Sequence, residues 1–133
     1  LRIIHQAIVL IILSQPLSAC RLWAVLAKPN ITFPTMTSSE RAIVTDQLNH
    51  LLLQSEYVQD GWSLLKYGVN DAHPIEPLFR SELSALDDAE NYWSTVSMLV
   101  DEGEGFVGLG HLRATTSGMG NIPNPHPWMF YDG

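Results

Sequence analysis

A single cysteine, Cys20, stands in this chain of 133 residues, which rules out both an internal disulfide and a cysteine-based zinc site. Whatever fold forms must therefore rest on packing alone. The 46% hydrophobic content is enough for one packed core, although an apolar N-terminal run takes part of it. That run, Ile3 to Leu13, is broken only by His5 and Gln6. It is too short to span a bilayer, which takes about 20 residues, and suits the apolar part of a signal peptide. Pro16 ends it, and Leu17-Ser18-Ala19 leads straight into the cysteine. Residues 1–19 are expected to be a leader for export, and residues 20–133 the folded portion.

Cutting between Ala19 and Cys20 would place a thiol and a free α-amine on one residue. N-terminal nucleophile hydrolases use that pairing, in which the chain end serves as the base for the side chain. Leu17-Ser18-Ala19-Cys20 also matches a bacterial lipobox, whose cysteine sulfur receives a lipid and whose amine is usually acylated afterwards. That modification would consume both groups and anchor the chain to a membrane. At this point both outcomes stay open.

Arg2 lies in the leader, so the remainder carries six basic and fourteen acidic side chains, a net charge of −8. So negative a surface repels phosphate backbones and argues against a nucleic-acid partner.

Along that remainder, Arg21 to Ala27 reads as a strand that Lys28-Pro29-Asn30 stops. Thr37 with Glu40 forms a capping box for a helix from Ser38 to about Gln54, with Ile43, Val44, Leu48, Leu51 and Leu52 on its apolar side and His50 on its surface. Asp60-Gly61 marks a turn before a strand from Trp62 to Tyr67, and Gly68 to Pro77 reads as a loop. Asp87 or Asp88 caps a further helix bearing Trp93, Val96 and Val100, which closes near Asp101-Glu102-Gly103. Gly105 to Leu112 then forms a strand whose glycines at 105, 108 and 110 mark the close approach of another backbone or a ligand.

Beyond that strand, Arg113 precedes a small polar run, Thr115-Thr116-Ser117-Gly118, suited to a charged ligand and equally compatible with a solvated loop. Asn124-Pro125-His126-Pro127-Trp128 follows, where the two prolines favour a structural role for His126 over a general base. Asn70, Asp71 and His73 lack any standard metal-ligand spacing and read as a solvated loop.

Three of these segments, taken in order, resemble class II glutamine amidotransferases. The likeness is to the stand-alone subgroup related to ergothioneine-pathway γ-glutamyl amidohydrolases. Cys20-Arg21-Leu22-Trp23 matches that group's Met-Cys-Arg-Leu start from the cysteine onward. Asp60-Gly61-Trp62 matches its Asp-Gly-Trp-Gly segment, with Ser63 in place of the last glycine. His111, Arg113, Thr116 and Gly118 match His-x-Arg-x-Ala-Thr-x-Gly, with Thr115 replacing the alanine, and Asn124, His126, Pro127 and Trp128 match the Asn-x-His-Pro-aromatic segment after it.

The resemblance implies an α+β fold, the four-layer αββα N-terminal nucleophile hydrolase sandwich, of which this chain supplies the N-terminal part. It implies that Cys20 attacks the side-chain amide of glutamine or a γ-glutamyl compound, with no cofactor and no metal. Arg113 would pair with the substrate α-carboxylate, and Thr116, Trp62 and Gly61 would lie beside the substrate. The family's oxyanion donors, an Asn-Gly pair, would fall after Gly133. Losing one such donor costs about 10²- to 10³-fold in rate, so the 133-residue piece is expected to be inactive alone.

Overall fold

The protein is described by a computed structural model, which places residues 19–27, 32–68, 79–102 and 105–114. The leader, the Asn70-Asp71-His73 loop, Thr116 and the Asn124 to Trp128 segment lie outside the described residues. Within them the fold is α+β. The elements run β1 (Arg21–Leu26), a 3-10 turn (Phe33–Thr35), α1 (Ser38–Gln54), β2 (Trp62–Gly68), β3 (Phe79–Ser81), α2 (Ala89–Asp101) and β4 (Gly105–Leu112). The four strands form one antiparallel sheet in the order β1-β4-β2-β3.

Strand alternation decides where the core sits. Side chains two apart share a face, and residues directly opposite in an antiparallel pair do too. Trp23 and Val25 of β1, Trp62 and Leu64 of β2, and Leu112 of β4 therefore point the same way and are buried in one cluster with the helices. Val44, Leu48, Leu51 and Leu52 of α1 and Tyr92, Val96, Leu99 and Val100 of α2 complete it. Ile43, grouped with that stripe from its spacing, is 39% exposed at the rim. Each fully buried Leu or Val contributes roughly 1.5–3 kcal/mol.

The capping of α1 follows its sequence. Thr37 Oγ1 accepts from the Glu40 backbone N–H at 3.3 Å, and Glu40 Oε2 accepts from the Thr37 backbone N–H at 2.9 Å. The capping of α2 does not. Asp88 occupies the N-cap position, but its carboxylate makes no cap bond there. It is buried, accepting instead from Trp62 Nε1 at 3.2 Å and Asn91 Nδ2 at 2.6 Å. The far end of α2 is capped from the sheet: Lys66 Nζ donates to the carbonyls of Met98 at 3.0 Å and Glu102 at 2.6 Å. A cation at the negative end of a helix is favourable. Burial nevertheless pushes the Lys66 ammonium below its ordinary value, with nearby Glu102 opposing the shift.

Polar ties between the helices lock the layer above the sheet. Arg41 of α1 pairs with Asp101 of α2, and the buried Tyr92 hydroxyl of α2 donates to the Leu48 carbonyl of α1 at 2.7 Å. Burial pushes the Tyr92 phenol well above its ordinary value.

The glycines of β4 serve this packing, which corrects the expectation of a nearby ligand or backbone. A Cβ on Gly110 would sit 3.0 Å from Leu51 Cδ2 and from Leu64 Cδ2, and one on Gly108 would sit 3.0 Å from Val25 Cγ1. Core side chains occupy the space over the central strand.

Candidate functional site

Cys20 lies one residue ahead of β1, at the end where β2 begins and β4 finishes. The pairing Arg21↔Leu112 places Cys20 beside Arg113, one step further on. The pairing Trp62↔Leu112 places Gly61 on the other side of Arg113. Two backbone bonds extend the ladder there: Arg113 N–H donates to the Gly61 carbonyl at 2.9 Å, and Asp60 N–H donates to the Arg113 carbonyl at 3.0 Å. The three sequence segments thus meet on adjacent strands at one sheet end.

By alternation, Cys20 and Arg113 belong to the face opposite the helices, together with Leu22, Ser63 and His111. The sulfur is clipped to the end of β4. Ala114 N–H donates to Cys20 Sγ at 3.3 Å, and the thiol lies 3.5 Å from the Ala114 carbonyl as a donor, across a sequence separation of 94. Cys20 and Arg113 are both half-buried. A side chain at the root of a paired strand is held more firmly than one on a loop.

Gly61 has a reason to be glycine. Its φ of 123° lies in the region L side chains rarely adopt, and its carbonyl is the acceptor that fixes Arg113. No known protein family, curated protein or solved structure matches the chain.

Not every expected ligand neighbour reaches this corner. Trp62 turns to the helix face, fully buried, stacked on Phe79 with ring centroids 5.0 Å apart and set edge-on to Tyr92 at 5.0 Å. Its indole N–H is taken by Asp88. The sheet therefore stands between the Trp62 ring, expected beside the substrate, and the face that carries Cys20. Thr116 lies outside the described residues, so the corner comprises Cys20, Gly61, Arg113 and Ala114. Among the described residues no three His, Cys, Asp or Glu side chains cluster as a metal site, and no helix is long and apolar enough to cross a membrane.

Two further residues complete this corner. Ala114 is an unremarked position between Arg113 and Thr115, and only the β1–β4 pairing brings its backbone to the sulfur. Arg21 reads as a motif neighbour, yet its Nη1 donates to the Ala19 carbonyl, in the peptide unit that precedes Cys20.

Proposed function

We propose that the protein is an exported amidohydrolase of the glutamine-amidotransferase type, cleaving the side-chain amide of glutamine or a γ-glutamyl compound. The observation that carries this reading is the convergence of Cys20, Gly61 and Arg113 on neighbouring strand ends, with the sulfur on the same face as Arg113. The full domain in this proposal is the four-layer αββα sandwich. The helices α1 and α2 pack on one face of the sheet, while Leu22 and Leu26 on the other are 57% and 54% exposed, a surface suited to a second sheet.

In the proposed reaction, removal of the leader frees the Cys20 α-amine. The amine takes the thiol proton, and the sulfur attacks the amide carbon. An ordinary thiol near 8.5 and an ordinary α-amine near 7.7–8.0 are matched closely enough for that exchange. The tetrahedral adduct collapses as the carbon–nitrogen bond breaks, and the departing nitrogen takes the proton back from the ammonium. Water, deprotonated by the same amine, then clears the thioester and restores the thiol. Arg113 supplies a planar, two-pronged donor for the substrate α-carboxylate.

The rival reading, a lipid-anchored binding module of the same fold, is favoured by the Leu17-Ser18-Ala19-Cys20 sequence. It requires the sulfur to carry a diacylglyceryl group at an atom that is half-buried and bonded to Ala114. Intact-mass analysis of the exported protein separates the two. A chain beginning at an unmodified Cys20 and hydrolysing glutamine or a γ-glutamyl amide supports the enzyme. Retained leader residues or a lipid adduct sink it.

A further inference from the structure

We infer that Arg21 is a positioning residue whose charge keeps the α-amine of the matured Cys20 in its neutral form, ready to accept a proton. The inference rests on the proposed maturation at Ala19, and it concerns the state of the amine rather than the substrate.

The geometry is local. Arg21 Nη1 lies 2.5 Å from the Ala19 carbonyl oxygen. In a peptide unit that oxygen is about 2.3 Å from the following nitrogen, so the guanidinium sits within about 5 Å of the Cys20 nitrogen. Cutting the bond removes Ala19, the hydrogen-bond partner of Arg21 among the described residues, and turns that nitrogen into a titratable amine.

The cation then has little to neutralise it. Arg21 lines a crevice between β1 and α1 with Trp23, Gln47, His50, Leu51 and Gln54, none of them acidic. Trp23 Nε1 is a buried donor that lacks an acceptor among the described residues, so it offers the guanidinium nothing. At about 20 Å³ the crevice has room for a water and no larger ligand. Strand pairing of Arg21 with Leu112 keeps the backbone in place after the cut.

The other charged or titratable groups on the elements around this corner are Arg113 at the end of β4, His111 within it, Asp60 ahead of β2 and His50 on α1. Arg113 adds to the positive potential. Asp60, which opposes it, donates its backbone N–H to the Arg113 carbonyl.

A like charge about 5 Å away disfavours the ammonium form and lowers the amine's midpoint by about 0.5–1 pH unit at screening close to that of bulk water. The test is competitive acylation of the Cys20 amine across pH, read by mass spectrometry, on chains that begin at Cys20. The expected result is a midpoint about 0.5–1 unit higher in Arg21→Gln than in the native sequence, with Arg21→Lys close to native. Equal midpoints in Arg21→Gln and the native sequence overturn the inference. Should Arg21→Gln fail to fold, the native chain alone decides. Raising salt to 1 M should lift its midpoint by screening the pair, and a midpoint that stays put or falls overturns the inference. This readout needs no turnover, so the role of Arg21 stands or falls on the midpoint, whereas the proposed enzyme stands or falls on hydrolysis by a chain that also carries the oxyanion donors.

Discussion

The sulfur of Cys20 lies 3.3 Å from the backbone nitrogen of Ala114, a hydrogen bond that joins the residue ahead of the first strand to the residue two beyond the last. That contact depends on the neighbouring ladder, in which Arg113 is bonded on both its N–H and its carbonyl to the Asp60-Gly61 turn. Disturbing any one of these positions should therefore be felt at the thiol.

Arg113→Lys tests the substrate class. A lysine keeps the charge and loses the planar fork, so a glutamyl substrate bound by its α-carboxylate should lose about 10²-fold in kcat/KM. Steady-state kinetics on glutamine measure this. A variant that works nearly as well as the native enzyme would point instead to an N-terminal nucleophile hydrolase acting on a non-glutamyl amide.

Gly61→Ala should destabilise the fold by about 1–3 kcal/mol, because a Cβ is strained at φ 123°. Urea denaturation gives the magnitude. Hydrogen exchange should locate the damage at the Arg113 amide, whose acceptor is the Gly61 carbonyl, and should spare amides in the middle of α1.

Trp62→Phe should cost about 1–3 kcal/mol, since it leaves Asp88 Oδ2 buried without the indole donor while Asn91 still holds Oδ1. With the ring on the helix face, KM should stay within about twofold of native once the variant is folded. A large rise in KM with unchanged stability would return Trp62 to the substrate's neighbourhood.

Lys66 predicts an alkaline dependence of stability. Burial disfavours its ammonium form, so between its lowered value and the ordinary 10.5 the unfolded chain holds a proton that the folded chain has released. Stability attributable to this group then rises with pH across that window and is flat below it. Comparing denaturation midpoints of the native chain and Lys66→Met from neutral pH up to 10.5 should show the difference growing in favour of the native chain. A difference independent of pH would reject the assignment.

Local rules made much of the secondary structure legible. The Thr37–Glu40 box and the Gln54 end of α1 were marked by capping and periodicity, and Gly105–Leu112 by its apolar run. Three residues are too few for a periodic signal, so β3 went unread; Phe79 earns its place by stacking on Trp62. Asp88 stands at the N-cap as its sequence position indicates, but a carboxylate at a helix start can cap its helix or serve a distant indole, and only packing chooses between them. The corner at Cys20 was legible as three motifs. Its partner Ala114 was not, because a backbone donor leaves no mark in the identity of its residue. Trp62 shared a motif with a site residue, yet a one-residue step along a strand sends the side chain through to the other face.

The order β1-β4-β2-β3 also carries a timetable. Among the described strands, the first to be synthesised has no neighbour until Gly105 to Leu112 has emerged, so on the proposed export route Cys20 would travel as loose polypeptide for most of the passage. On that route a membrane peptidase would meet an extended substrate during that interval. Once His111 and Leu112 zip alongside Leu22 and Arg21, the same bond is joined to a paired strand and is poorly shaped for a protease cleft.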